Sequence, residues 1–302
     1  MRRTLVPYLG AWLVTLIWGS SFLLIKLGLE ELPPLTFAAL RYTSGGVLLL
    51  LWLAVSKRGL HPPRLSRHTW TRVALTGVAA FTIGQGLFYL GQTYVSALTG
   101  SFFYSLVPLF VILLGVAAFR SLPRPLQLFG LAVTLIGGAL YFPPDLFGAR
   151  WPGVLLMIAS DAATAGYLLL TRVLRQDSDL PSPWLTAVAL LVGGGLLLPV
   201  ALVLEGVTRP SARALLILAF LATVNTALAY TLWAILLRRI RAFELSVVAN
   251  TIPLQTALIA WLAFGSRTTL RELLGLLVVV LGVAIVQGGA PAPATGLPKR
   301  KA

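Results

Sequence analysis

Cysteine is absent, so the chain can build neither a disulfide framework nor a thiolate metal site, and the redox compartment leaves no mark on it. Histidine is nearly absent: His61 and His68 are the two, both in one basic segment, and with no Cys and no clustered His metal chemistry is not expected. Charge is scarce, 11% of 302 residues against about 25% in a soluble domain. No GxSxG, Walker or HExxH pattern stands in a fitting context, so an enzyme has no visible machinery and no cofactor is expected.

What fills the chain is apolar: 58% hydrophobic residues and a mean hydropathy of +0.89. Long apolar runs of membrane-spanning length alternate with short polar breaks, the pattern of an all-α polytopic membrane protein. A β-barrel needs alternating ten-residue strands, and these are missing. Ten helices are expected at roughly 7–29, 34–55, 70–93, 97–119, 124–142, 152–174, 183–204, 212–237, 243–264 and 270–288. The run from Pro7 is too long for a signal-peptide core and lacks a small-x-small cleavage site, so it reads as the first span.

The net charge of +15 raises the question of nucleic acid, which the placement of the charge answers. With the N-terminus inside, seventeen Lys and Arg fall on the inner side and five on the outer side, at Arg150, Arg209, Arg213, Arg267 and Arg271. That is a positive-inside bias, and nucleic-acid binding is not expected. Both termini are expected in the cytoplasm. Residues 289–302 end in a Pro/Gly-rich basic stretch and read as a disordered cytoplasmic tail.

Thr99–Tyr141 occurs twice. At an offset of 145 residues, thirteen of 43 positions are identical without a gap, including Ser101/Ser246, Pro108/Pro253, Gly130/Gly275 and Gly137/Gly282. Ten spans then divide into five-helix repeats, 1–145 and 146–288. An odd number per half makes the second copy enter from the opposite side. Inverted repeats of this kind place a substrate site near mid-bilayer between the halves.

The offset extends into helices 3 and 8, where Phe81, Gln85 and Phe88 fall on Thr226, Tyr230 and Trp233. Each triplet has i, i+4, i+7 spacing and shares one helix face. A polar and aromatic face is costly toward lipid, so it belongs to a cavity or to hydrogen-bonded helix contacts. In helices 4 and 9, Tyr104 and Asn250 stand near mid-span prolines, which kink a helix and free a carbonyl. Asp161 is the acid near the middle of a span, a candidate for proton or cation chemistry or a paired interface acid. Lys26 and Arg41 are its conceivable counter-ions. Lys26 can snorkel outward, whereas Arg41 sits two turns inside helix 2. Glu244 complements a helix N-terminus. Trp12, Trp52, Trp151 and Trp184 read as interface anchors, and Trp18, beside Gly19-Ser20-Ser21, as a cavity residue. Tyr167 joins the aromatics able to stack on a ring.

In these motifs the chain resembles the drug/metabolite transporter superfamily, in particular its ten-span EamA-type members. The resemblance rests on Trp18-Gly19-Ser20-Ser21-Phe22, on Pro34 with Arg41, on Leu106/Pro108 and Thr251/Pro253, and on the paired glycines 130/137 and 275/282. It covers about residues 8–287. Ser121 and Ser266 stand where such families often carry an acid, so no role for that acid carries over. The resemblance implies an inner-membrane, multi-pass secondary carrier of small metabolites, often an exporter, working by alternating access without a nucleotide. Within the family the chain resembles aromatic amino-acid exporters of the YddG-like type. The expected partners are a small-molecule substrate and membrane lipid. The substrate-binding candidates are Trp18, Phe81, Gln85, Phe88, Tyr104, Asp161, Tyr167, Thr226, Tyr230, Trp233 and Asn250. Two alternatives remain: a drug or cation exporter built around Asp161, and a non-transporting membrane scaffold with a collapsed interior.

Overall fold

The structure, a computed structural model, describes residues 2–55, 66–119, 124–141, 150–177, 182–236, 239–240, 242–266 and 268–288. Among these, nine helices are long and apolar enough to cross a membrane, and Pro125–Tyr141 is a shorter apolar helix. The tail and the basic segment holding His61 lie outside the described residues.

Helix α1 spans Arg2–Gly28 and α2 Pro34–Val55. Helix α3 joins Arg67–Gly77, a π-helical stretch Val78–Gly84, and Gln85–Tyr94. Helix α4 joins Ala97–Ser105 to Val107–Phe119, and α5 is Pro125–Tyr141. Helices α6 and α7 are Trp151–Asp177 and Ser182–Glu205. Helix α8 joins Ala212–Phe220, a π-helical stretch Leu221–Leu228, and Ala229–Leu236. Helix α9 joins Ala242–Ala249 to Ile252–Phe264, and α10 is Leu270–Gly288.

The 145-residue offset reappears in the backbone. Ser66 caps α3 by accepting from Thr69 N, and Ser211 caps α8 by accepting from Ala214 N; the two serines are one offset apart, and such caps satisfy an otherwise orphaned N–H. The π-helical stretches of α3 and α8 overlap under the same shift. Helices α4 and α9 break at Leu106 (φ −86°, ψ −9°) and Thr251 (φ −82°, ψ −4°), each two residues before a proline that cannot donate to the preceding turn.

Packing follows the same pairing. The most extensive helix contacts are α5 with α10 and α2 with α7, each joining corresponding helices of the two halves. In the first pair the glycines form a seam. A Cβ on Gly130 would lie 2.6 Å from Val286 N, on Gly137 2.6 Å from Val279 N, on Gly275 2.6 Å from Tyr141 N, and on Gly282 2.6 Å from Thr134 N. Backbone meets backbone there, the close approach that drives helix association where lipid removes the hydrophobic incentive. Elsewhere α3 and α4 pack on α6, as α8 and α9 pack on α1.

The N-terminus of α2 is capped from the other half. The Glu205 carboxylate, at the end of α7, accepts from Leu35 N (2.8 Å), Thr36 N (2.7 Å) and Thr36 Oγ1 (2.8 Å). At the same end Arg213 approaches Glu30 and Glu31 at 3.7 and 3.4 Å. At the opposite end of α1, Tyr8 donates to Glu244 (2.7 Å), which lies in the first turn of α9.

Two outcomes follow for the purified protein. Gly137→Ala and Gly275→Ala should each destabilise it by about 1–3 kcal/mol through overpacking, read as a lowered thermal midpoint in detergent. Gly195→Ala, where a Cβ meets nothing within 4 Å, should leave the midpoint in place or raise it. Glu205→Ala should cost about 1–3 kcal/mol by orphaning charge-assisted bonds, and Glu205→Gln less, because one acceptor remains.

Candidate functional site

Helices of both halves converge on a cavity. Helix α1 supplies Trp18, Ser21, Phe22 and Ile25, α2 supplies Arg41 and Tyr42, and α3 supplies Gln85 and Phe88. Tyr104 of α4, Asn225 and Tyr230 of α8 and Ile252 of α9 complete the lining. Tyr104 stands just before the α4 break and Ile252 just after the α9 break, so both interruptions face this space. It offers about 50 Å³ to the centres of water-sized molecules. That is room for a few waters, each needing roughly 10–15 Å³ for its centre.

Aromatic contacts frame it. Trp18 meets Tyr230 edge-on at 5.7 Å and Trp233 at 4.9 Å, while Phe22 meets Phe88 at 5.7 Å and Tyr104 at 6.0 Å. Asn225 ties α8 to α1: its Nδ2 donates to the Ile17 carbonyl, and Trp18 Nε1 donates to the Asn225 carbonyl (3.2 Å). Its Oδ1 is buried without a hydrogen-bond partner. Tyr42 donates to Gln85 Oε1 at 2.6 Å, fixing that amide at the wall.

Five sequence candidates therefore meet at the cavity: Trp18, Gln85, Phe88, Tyr104 and Tyr230. Four others stand one layer behind. Phe81 packs on Tyr42 (5.0 Å) and Tyr167 (6.2 Å), and Trp233 backs Trp18. Thr226 donates to the Leu221 carbonyl, five residues back, and accepts from Arg41 Nε at 3.3 Å. Phe81 and Thr226 lie inside the π-helical stretches, where i→i+5 bonding shifts side chains off the stripe that regular α spacing assigns them. Asn250 is directed elsewhere and donates to Gln287 of α10 at 3.0 Å.

Asp161 is 2% exposed, and its Oδ2 has no hydrogen-bond partner. It lies within electrostatic reach of Tyr104. No ion pair joins it to Lys26 or Arg41 among the described residues. Lys26 instead caps the end of α3, its Nζ donating to the carbonyls of Gln92 (2.7 Å), Thr93 (3.4 Å) and Val95 (2.9 Å). The last carbonyls of a helix have no partner of their own, and the half-exposed ammonium bonds to them at the end of the span, a structural role. Trp184 is not an interface anchor. It is 7% exposed and meets Trp70 at 5.4 Å, because the start of α7 packs into a cluster with Val73 and Leu174. Trp12, Trp52 and Trp151 are exposed as anchors should be.

Seven wall residues were not among the sequence candidates, and Arg41 is the charged one of them. It is 5% exposed, lines the cavity, and donates from Nη1 to Tyr89 Oη at 3.0 Å. Its position two turns inside an apolar helix was the signal.

Comparison with known proteins places this geometry. The chain matches the EamA-like transporter family over residues 5–142 and again over 151–287. It is 29% identical to an uncharacterized transporter of Archaeoglobus fulgidus, covering 90% of this chain and 93% of that one. It is 26% identical to YedA, an uncharacterized inner membrane transporter of Escherichia coli (strain K12), over 95% and 92% of the two chains. A Chlamydia trachomatis protein named an S-adenosylmethionine/S-adenosylhomocysteine transporter is 27% identical, over 89% of this chain and 85% of its own. A crystal structure with 17% identity superposes with a TM-score of 0.68, covering 94% of this chain and 97% of its own, and shares the fold. With each half matched in turn and the whole length shared with named transporters, the chain belongs to the EamA-like transporter family and is a multi-pass membrane transporter.

Proposed function

We propose that the protein exports small metabolites, foremost neutral and aromatic amino acids, by alternating access through the cavity between its halves. The observation that carries this reading is the cavity's make-up: aromatic walls from Trp18, Phe22, Phe88, Tyr104 and Tyr230, with the Gln85 and Asn225 amides set among them. Rings stack on such walls, and the amides hydrogen-bond a cargo's polar end. The relative named for S-adenosylmethionine adds support, since that cargo joins an α-amino acid to an aromatic base.

The small volume fits a state that widens to admit cargo. Helices α3, α4 and α6 form one packed group and α1, α8 and α9 its counterpart. Rocking of one group against the other opens the space to each side in turn. The π-helical stretches lie where that bending concentrates, and such stretches recur at functional positions.

In proteoliposomes, radiolabelled phenylalanine, tryptophan or threonine should show counterflow above protein-free vesicles. Absence of flux for every amino acid would remove this reading. Tyr104→Ala should slow phenylalanine relative to threonine by roughly 2–10-fold, the worth of one aromatic contact.

One observation favours a second reading, export of cationic compounds: the buried, unpartnered carboxylate oxygen of Asp161. A buried carboxylate replaces the water a cation loses. On that reading ethidium efflux from cells depends on the protein and ends with Asp161→Asn, whereas efflux unchanged in Asp161→Asn rejects it.

A further inference from the structure

Burying a guanidinium in a membrane protein is costly unless an anion or a full set of hydrogen bonds compensates it. Arg41 has neither. Among the described residues no carboxylate pairs with it. Its guanidinium makes two hydrogen bonds to described residues, both to neutral hydroxyls: Nη1 to Tyr89 at 3.0 Å and Nε to Thr226 at 3.3 Å. The guanidinium carbon lies 5.2 Å from the centre of the Tyr42 ring, a cation–π contact that holds the charge without neutralising it. Both protein-bonded nitrogens are thus fixed, and Nη2 makes no hydrogen bond to a described residue. The same side chain lines the cavity.

The supports come from three helices. Tyr89 belongs to α3, Tyr42 to α2 itself, and Thr226 to the π-helical stretch of α8, where its hydroxyl is also bonded to the Leu221 carbonyl. An oriented guanidinium with a free edge in an aromatic-walled cavity is a receptor for a planar anion, because its donors match the two oxygens of a carboxylate. Gln85, held by Tyr42, adds a neutral group beside it.

We propose that Arg41 is the anion anchor of the cavity and holds the carboxylate of the cargo, whose apolar part lies against Phe22, Phe88 and Tyr104. This rests on the reading of the cavity as the cargo site and narrows it to cargo with a carboxylate. It also sets α2 and α8 in a role for recognition, since the cargo's charge is read by a residue that bridges them.

The test is calorimetric binding to the full-length protein in detergent, with phenylacetate and phenethylamine as probes of one ring and opposite charge. Wild type should bind phenylacetate and discriminate against phenethylamine. Arg41→Gln should weaken phenylacetate on the order of 30-fold or more, as when one partner of a buried charge pair is removed. Arg41→Lys keeps the charge but cannot hold Tyr89, Thr226 and a carboxylate together, so its affinity should fall between the two. Phenylacetate binding no tighter than phenethylamine binding, or no binding of either, overturns the proposal. So does phenylacetate binding unchanged in Arg41→Gln. The wild-type comparison decides the matter even if that variant fails to fold. In vesicles, phenylalanine should exchange and phenylalaninamide should not. Equal exchange of both removes the anion anchor and leaves amino-acid transport standing. Phenylacetate binding without any amino-acid flux does the reverse.

Discussion

Inside a bilayer every backbone N–H and C=O needs a partner from the protein, because no water is there to supply one. That constraint decides where this chain is allowed to be irregular. Its helix breaks at Leu106 and Thr251 sit beside the cavity, not toward lipid, and its two π-helical stretches lie within α3 and α8 at or just behind the same wall. Polar side chains follow the same rule. Thr226 bonds the Leu221 carbonyl within the π-helical stretch of α8, and Lys26 takes up three carbonyls at the end of α3. Irregular backbone is therefore concentrated at the site, where neighbours or cavity contents can satisfy it.

Rigidity and movement are distributed accordingly. The α5–α10 glycine seam brings backbones together with no room for a Cβ, a contact with little freedom to slide sideways. The α2–α7 pair carries Gly46 and Gly194 into comparable approach, a Cβ on Gly194 lying 2.7 Å from Thr43 N. These like-with-like pairs form the frame. The groups around α6 and α1 meet each other across aromatic rings, and ring contacts of 5–6 Å can re-form at new angles at modest cost. A transporter of this size needs both kinds of interface, and the two-fold plan supplies each twice.

Much of this was legible in the residues. Lipid-length apolar runs, the 145-residue offset and the prolines at 108 and 253 lead directly to ten helical units in two halves with matching breaks. The stripes in helices 3 and 8 were half legible. Gln85, Phe88 and Tyr230 reach the cavity, but Phe81 and Thr226 do not line it, because a π-helical stretch changes the angular step that a regular stripe assumes. Ser66 and Ser211, one offset apart, carry a capping signal that sequence reading can find from the same shift. Trp184 misled because its distance from a helix end indicates depth, not which neighbour waits there.

Local chemistry and periodicity settle what a segment is: apolar length makes a span, proline removes a donor, and glycine leaves out a Cβ. These act along the chain, so the sequence by itself determined the all-helical class, the repeat and the position of each break. Which side chains face one another across the halves depends on helix rotation and crossing, which no local rule contains. Only the tertiary structure decided that Arg41 meets Tyr89 and Thr226, that Asn250 turns to Gln287, and that no described cation pairs with Asp161. The reason is physical: these contacts join residues 37 to 185 positions apart, and their partners are set by the packing of whole helices.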